Sequence, residues 1–141
     1  MAQVEVSLTS NIDQIRAATA EAIETALKTV GMQAQAHVGE EITAQGAIDT
    51  GRLRNSIDFE VDGDTVYVGT NVEYAPYVEF GTGVYAENGG GRPTPWAWQD
   101  ADGNWHRTIG MKPRPYLRPG IEKNISEYQQ IFAEELARLG N

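Results

Sequence analysis

Residues 3–8 alternate. Val4, Val6 and Leu8 fall on one face and Gln3, Glu5 and Ser7 on the other, the pattern of a half-buried strand. Thr9, Ser10 and Asn11 then offer N-cap oxygens, and Asp13 follows Ser10 at the spacing of a capping box. From there Ile12, Ile15, Ala18, Ala22, Ile23, Ala26, Leu27, Val30, Ala34, Val38 and Ile42 recur every three or four residues. That spacing predicts one long helix with an apolar stripe, fading near Gly46. The alanines in the stripe let another backbone come close. Gly31 and Gly39 each weaken a helix by about 1 kcal/mol relative to alanine, so a bend or break is expected near either.

The remaining chain reads as shorter elements. Asp49 or Thr50 can cap a short helical turn in which Leu53 and Ile57 point into the core and Arg52 and Arg54 point elsewhere. Phe59 and Val61, then Val66 and Val68, alternate with polar neighbours about Gly63-Asp64, a hairpin. Tyr74 to Phe80 suits a short helix opening near Pro76, with Tyr77 and Phe80 on one side and Gly81-Thr82-Gly83 ending it. The glycine-rich stretch 81–95 reads as a mobile loop. Trp96-Ala97-Trp98 and Trp105-His106-Arg107 flank Asp102-Gly103 and predict a second hairpin. Pro113, Pro115 and Pro119 disfavour helix until the last of them, which suits the first residue of a final helix. Ile121, Ile125, Tyr128, Ile131, Phe132, Leu136 and Leu139 give its stripe, and Gly140 can close it. The sum is an α+β fold: a small antiparallel sheet packed against a long N-terminal helix and a C-terminal helix. It is expected as a single domain over residues 1–141, with a loop and hairpin arm over about 81–118.

Composition narrows the function. The chain has 141 residues, enough for one self-sufficient core, and no cysteine, which excludes disulfides, thiol nucleophiles and cysteine metal sites. No apolar run exceeds three residues, so neither a transmembrane helix nor a secretory leader is expected. The net charge is −9, which disfavours electrostatic wrapping of nucleic acid. Charge is also uneven. Residues 58–90 hold seven acids (Asp58, Glu60, Asp62, Asp64, Glu73, Glu79, Glu87) and no base. Residues 91–120 hold five bases (Arg92, Arg107, Lys112, Arg114, Arg118) against Asp100 and Asp102, a formal +3. The split reads either as ordinary solvated surface or as two faces of opposite sign that attract each other between copies.

Candidate chemistry is sparse. His37 lies on the predicted helix as a structural or surface residue, and no metal-binding histidine pair exists. Asp100-Ala101-Asp102-Gly103-Asn104 has a superficial likeness to a calcium loop, but its glycine comes too early and Met111 stands where the closing glutamate belongs, so a turn is expected. Nucleophile-elbow and phosphate-loop motifs are absent. Trp96, Trp98 and Trp105 could stack on bases or sugars, but with so little positive charge they are expected to pin a hairpin or meet a protein partner. No cofactor, metal or catalytic residue is expected.

Three segments occur in order: Asp49-Thr50-Gly51-Arg52-Leu53-Arg54-Asn55-Ser56-Ile57, Tyr74-Ala75-Pro76-Tyr77-Val78-Glu79-Phe80-Gly81-Thr82-Gly83 and Lys112-Pro113-Arg114-Pro115-Tyr116-Leu117-Arg118-Pro119. Together they resemble the neck, or tail-completion, family of long-tailed bacteriophages, over roughly residues 10–140. The chain departs in having Gly120 where alanine is frequent and Ala47-Ile48 where a proline is common. The resemblance implies a homo-oligomeric ring at the head–tail junction, in the virion and in the host cytoplasm during assembly, around a channel through which DNA passes without specific binding. It implies connector or head-completion, tail-terminator and tail-tube proteins as neighbours, and no membrane. Asp49, Thr50, Gly51, Leu53, Ile57, Tyr77, Phe80, Gly81 and Pro115 would then be architectural. Trp96, Trp98, Trp105, Arg107, Arg114 and Arg118 would meet Glu73 and Glu79 of the next copy. Two alternatives stand beside it: a cell-wall-sugar enzyme using Glu79 or Asp100 near the tryptophans, and a sibling role such as tail terminator.

Overall fold

The computed structural model describes residues 2–7, 19–46 and 50–139. Along the chain these form β1 (Ala2–Ser7), α1 (Ala20–Gln45), α2 (Thr50–Ser56), β2 (Asp58–Asp62), β3 (Thr65–Thr70), α3 (Ala75–Phe80), a 3₁₀ turn (Gly83–Tyr85), β4 (Trp96–Gln99), β5 (Trp105–Thr108), α4 (Leu117–Glu122) and α5 (Ile125–Leu139). The fold is α+β. It divides into two compact units, one running to Val72 and resuming at Tyr116, the other spanning Glu73–Pro115.

In the first unit the sheet is antiparallel, in the order β1-β3-β2. Val4 pairs with Val68 and Val6 with Val66, while Phe59 and Val61 pair with Val68 and Val66 from the other side. The β2–β3 turn at Gly63-Asp64 forms as the sequence predicts, with Gly63 at φ 63°. Helix α1 packs against β2 and β3 and against both C-terminal helices. Its Ala26, Leu27, Val30, Ala34, Val38 and Ile42 are buried, as are Leu53, Ile57, Val66, Val68, Tyr128, Phe132 and Leu136. Each large apolar side chain so buried contributes about 1.5–3 kcal/mol over leaving it in water.

Helix α1 begins later than the stripe suggests. Thr19 is extended (φ −74°, ψ 157°) and its hydroxyl accepts the Ala22 N–H at 3.1 Å, so Thr19 caps this helix. Ile12, Ile15 and Ala18, the N-cap candidates, Asp49 and Gly140 lie outside the described residues. The helix ends at Gly46, in the left-handed region. It runs unbroken through Gly31 and Gly39, against the expected bend. A Cβ on Gly31 would overlap the Phe59 ring, so the residue is small to seat β2 on the helix.

Short polar ties fix α2. The Ser56 hydroxyl donates to the Leu53 carbonyl at 2.6 Å, and the Gln35 amide donates to the Ile57 carbonyl at 2.7 Å. Arg54 reaches Thr43 at 3.0 Å. Leu53 and Ile57 are buried, while Arg52 and Arg54 are exposed, as the spacing predicts.

The C-terminal segment corrects the sequence reading twice. Helix starts at Leu117, two residues before Pro119, because a proline in the first turn lacks only an N–H that would have no partner there. The expected single helix is then interrupted at Lys123-Asn124. There the Asn124 side chain donates to the Gly120 carbonyl at 2.9 Å and competes with the helical ladder. Ile125, placed in the stripe by its spacing, is 42% exposed, whereas Tyr128, Phe132 and Leu136 carry the buried face.

His37 joins these helices. The Tyr128 hydroxyl donates to the Gly120 carbonyl at 2.8 Å, so its oxygen accepts from His37 Nδ1, also at 2.8 Å. His37 Nε2 lies 3.1 Å from the Gln33 amide nitrogen and 3.2 Å from a Glu127 carboxylate oxygen. Burial, and next the Glu127 carboxylate, push the Tyr128 hydroxyl well above its usual pKa.

Candidate functional site

The second unit carries the exposed apolar surface. On α3, Ala75, Val78 and Glu79 lie three and four residues apart on the buried side, which leaves Tyr77 (57% exposed) and Phe80 (43%) on the other. The sequence places Tyr77 and Phe80 together on one side, and both are exposed there. They wall a groove of about 570 Å³ that Pro76, Thr82, Arg92 and Trp96 help to line. The Arg92 guanidinium sits 5.7 Å from the centre of the Trp96 ring.

The glycine-rich stretch behind the groove is closed rather than open. Thr82 N–H donates to the Met111 carbonyl at 2.9 Å, Val84 N–H to Ile109 at 3.0 Å and Arg114 N–H to Val78 at 2.7 Å. The Met111 N–H returns to the Thr82 hydroxyl at 2.9 Å. Gly81 (φ 80°) and Gly83 (φ 60°) take positive φ, and a Cβ on Gly83 would collide with the Ile109 carbonyl.

The second hairpin forms in the predicted place. Trp96 pairs with Thr108, Ala97 with Arg107, Trp98 with His106 and Gln99 with Trp105. Trp98 stacks on His106, ring centres 4.6 Å apart. The turn is built by Asp100. One carboxylate oxygen accepts the Asp102 and Asn104 N–H groups at 3.0 and 2.8 Å, and the other lies 2.7 Å from His106 Nε2. The His106 bond, then the Asn104 N–H, hold the Asp100 carboxyl below the usual carboxylate range. Both Asp100 oxygens are thus engaged by the turn and by His106. Among the described residues, no cluster of three or more histidine and acid side chains could hold a metal, and no helix is long and apolar enough to cross a membrane.

The eight residues expected at an interface differ in exposure and fall in both units. Trp98, Trp105, Arg107 and Glu73 are exposed, Trp96 and Arg114 are half-buried, and Arg118 is half-buried on α4 in the first unit. Glu79 is corrected: at 2% exposure on the buried side of α3 it is withdrawn from any acidic outer face. Asp58, Glu60, Asp62 and Asp64 remain exposed along β2 and its turn.

Residues 7–81, more than half of the chain, match the HK97-gp10-like family, described as "Bacteriophage HK97-gp10, putative tail-component". The chain belongs to that family. The matched span of this HK97-gp10-like protein takes in α1, the Thr50-Gly51 turn, the first hairpin and α3, and ends at Gly81. The groove's α3 wall is therefore inside the match and the tryptophan hairpin beyond it. No curated protein and no solved structure matches the chain.

Proposed function

We propose that this protein is a neck component of a long-tailed phage or prophage, which assembles as a ring at the head–tail junction and joins tails to DNA-filled heads. Membership of a tail-component family carries the reading. The sequence motifs at residues 49–57, 74–83 and 112–119 narrow it to tail completion. Two physical features support an assembly role. Residues 73–115 carry five acids and four bases, a net −1, so −8 of the chain's −9 belongs to the other unit. On that nearly neutral unit sit exposed Tyr77, Phe80, Trp98 and Trp105, the residue types that anchor protein interfaces. Acidic surfaces facing a channel would repel DNA and let it slide. The partners are then a second copy and the adjoining connector, tail-terminator and tail-tube proteins, in the virion and, before that, in the host cytoplasm.

Electron microscopy of an induced lysogen carrying an early stop codon in this gene tests the reading. DNA-filled heads and separate full-length tails should accumulate, and purified protein added to the lysate should restore joined particles. Joined particles at normal numbers without the protein would overturn it. Tails of uncontrolled length would point instead to tail termination.

A further inference from the structure

We propose that the β4–β5 hairpin of one copy inserts Trp105 into the Tyr77/Phe80/Trp96 groove of the next copy, with Arg107 set against Glu87 at the groove's rim. This rests on the ring reading above and names the contact that would close the ring.

The hairpin supplies the first argument. Six of its eight strand residues are exposed, among them Trp105 at 68%. A two-stranded sheet exposed over most of both faces is marginal in water, and a partner would hold it. Trp98 is already stacked on His106 and Trp96 forms part of the groove, which leaves Trp105 as the free knob.

The groove supplies the second. Tyr77, Phe80, Trp96 and Pro76 line it together with glycines, Thr82, Asn88 and Arg92, its volume of about 570 Å³ is open to solvent, and it lies in the same unit as the knob. A knob and a hole at different places on one molecule make a head-to-tail contact, which generates a ring where the rotation closes.

Charge selects a second copy as the occupant. Contacts between copies through the first unit set −8 against −8, whereas residues 73–115 meet at −1 each. The local signs agree. Arg107 lies two residues from Trp105, on the same hairpin face. Glu87 is exposed between Ala86 and Asn88, both of which line the groove. Seating Trp105 therefore brings a cation to an anion.

The chain has no cysteine, so a Glu87→Cys/Arg107→Cys pair can be oxidised in purified particles without competing thiols. A ladder of disulfide-linked oligomers on a non-reducing gel is expected, and none from either single variant. Glu87→Arg and Arg107→Glu should each lower infectious titre roughly tenfold, and the two together should restore it. Trp105→Ala should lower it roughly 30-fold, as loss of a central aromatic anchor does. If the double-cysteine chain blocks assembly, it is oxidised as concentrated purified protein after circular dichroism has confirmed folding. No ladder, or no restoration by the paired reversal, overturns the docking. Multiple copies still found at the neck would then leave the ring reading standing, and their absence from the neck would remove that reading itself.

Discussion

At Gly120 a hydrogen atom is all that fits. A Cβ there would lie 2.9 Å from Val38 Cγ2 and 3.0 and 3.1 Å from the Val38 Cα and N, and that backbone belongs to a fixed helix. Gly120→Ala gains about 1 kcal/mol of helix propensity and loses about 1–3 kcal/mol to overpacking. Urea denaturation should therefore find it destabilised; a more stable variant would show that α1 and α4 can separate. Tyr128→Phe leaves His37 Nδ1 without its partner in the core and should cost about 1–3 kcal/mol by the same measurement. The Asp100 turn adds a pH dependence. Its folded pKa is depressed, so its contribution is present above the ordinary carboxylate value of about 3.9 and lost as pH falls through the folded value. Hairpin amide shifts followed by NMR should collapse only below that ordinary value, and Asp100→Asn should remove the dependence. At this scale the sequence was uneven. The Asp100 turn is local and could be foreseen, but His37 meets Tyr128 across 91 positions, which no spacing rule connects.

Elements were legible wherever a period persists. The alternation about Gly63-Asp64 and Asp102-Gly103 marks both hairpins, and the three-to-four spacing marks α1 and α5. Boundaries were not, because single side chains set them: the Thr19 hydroxyl starts α1 and the Asn124 amide divides α4 from α5. Within α2, Leu53→Ala should cost about 2–4 kcal/mol and Arg52→Ala less than about 0.5 kcal/mol. The reverse order in chemical denaturation would contradict the packing of α2. Hydrogen exchange on the free protein should be fastest in β4 and β5, exposed over most of both faces, and slower at Thr82, Val84 and Met111, whose N–H groups are bonded. Equal protection in the hairpin and in α5 would mean that the hairpin needs no partner.

For the whole molecule, the sequence showed an acidic and a basic stretch, and folding redistributes them. Glu79 goes inside and Arg118 joins the strongly acidic unit, so the divide runs between a −8 unit and a nearly neutral aromatic one. Sequence blocks could not show this, since the second unit cuts across both. The groove is not legible in the sequence, because nothing in the spacing of Tyr77 and Phe80 tells surface from core; only their exposure marks them as surface. Reversing Arg114 and Arg118 to glutamate should leave the chain folded by circular dichroism yet block head–tail joining, counted as unjoined heads and tails. Normal infectious yield from that double variant would remove the basic arm from the assembly contacts. The central claim, a ring at the head–tail junction, is tested most directly by electron cryomicroscopy of the neck of the intact particle. A closed ring of copies of this α+β fold around the channel between head and tail is the predicted result; this fold at the tail tip, or as isolated copies, would contradict it.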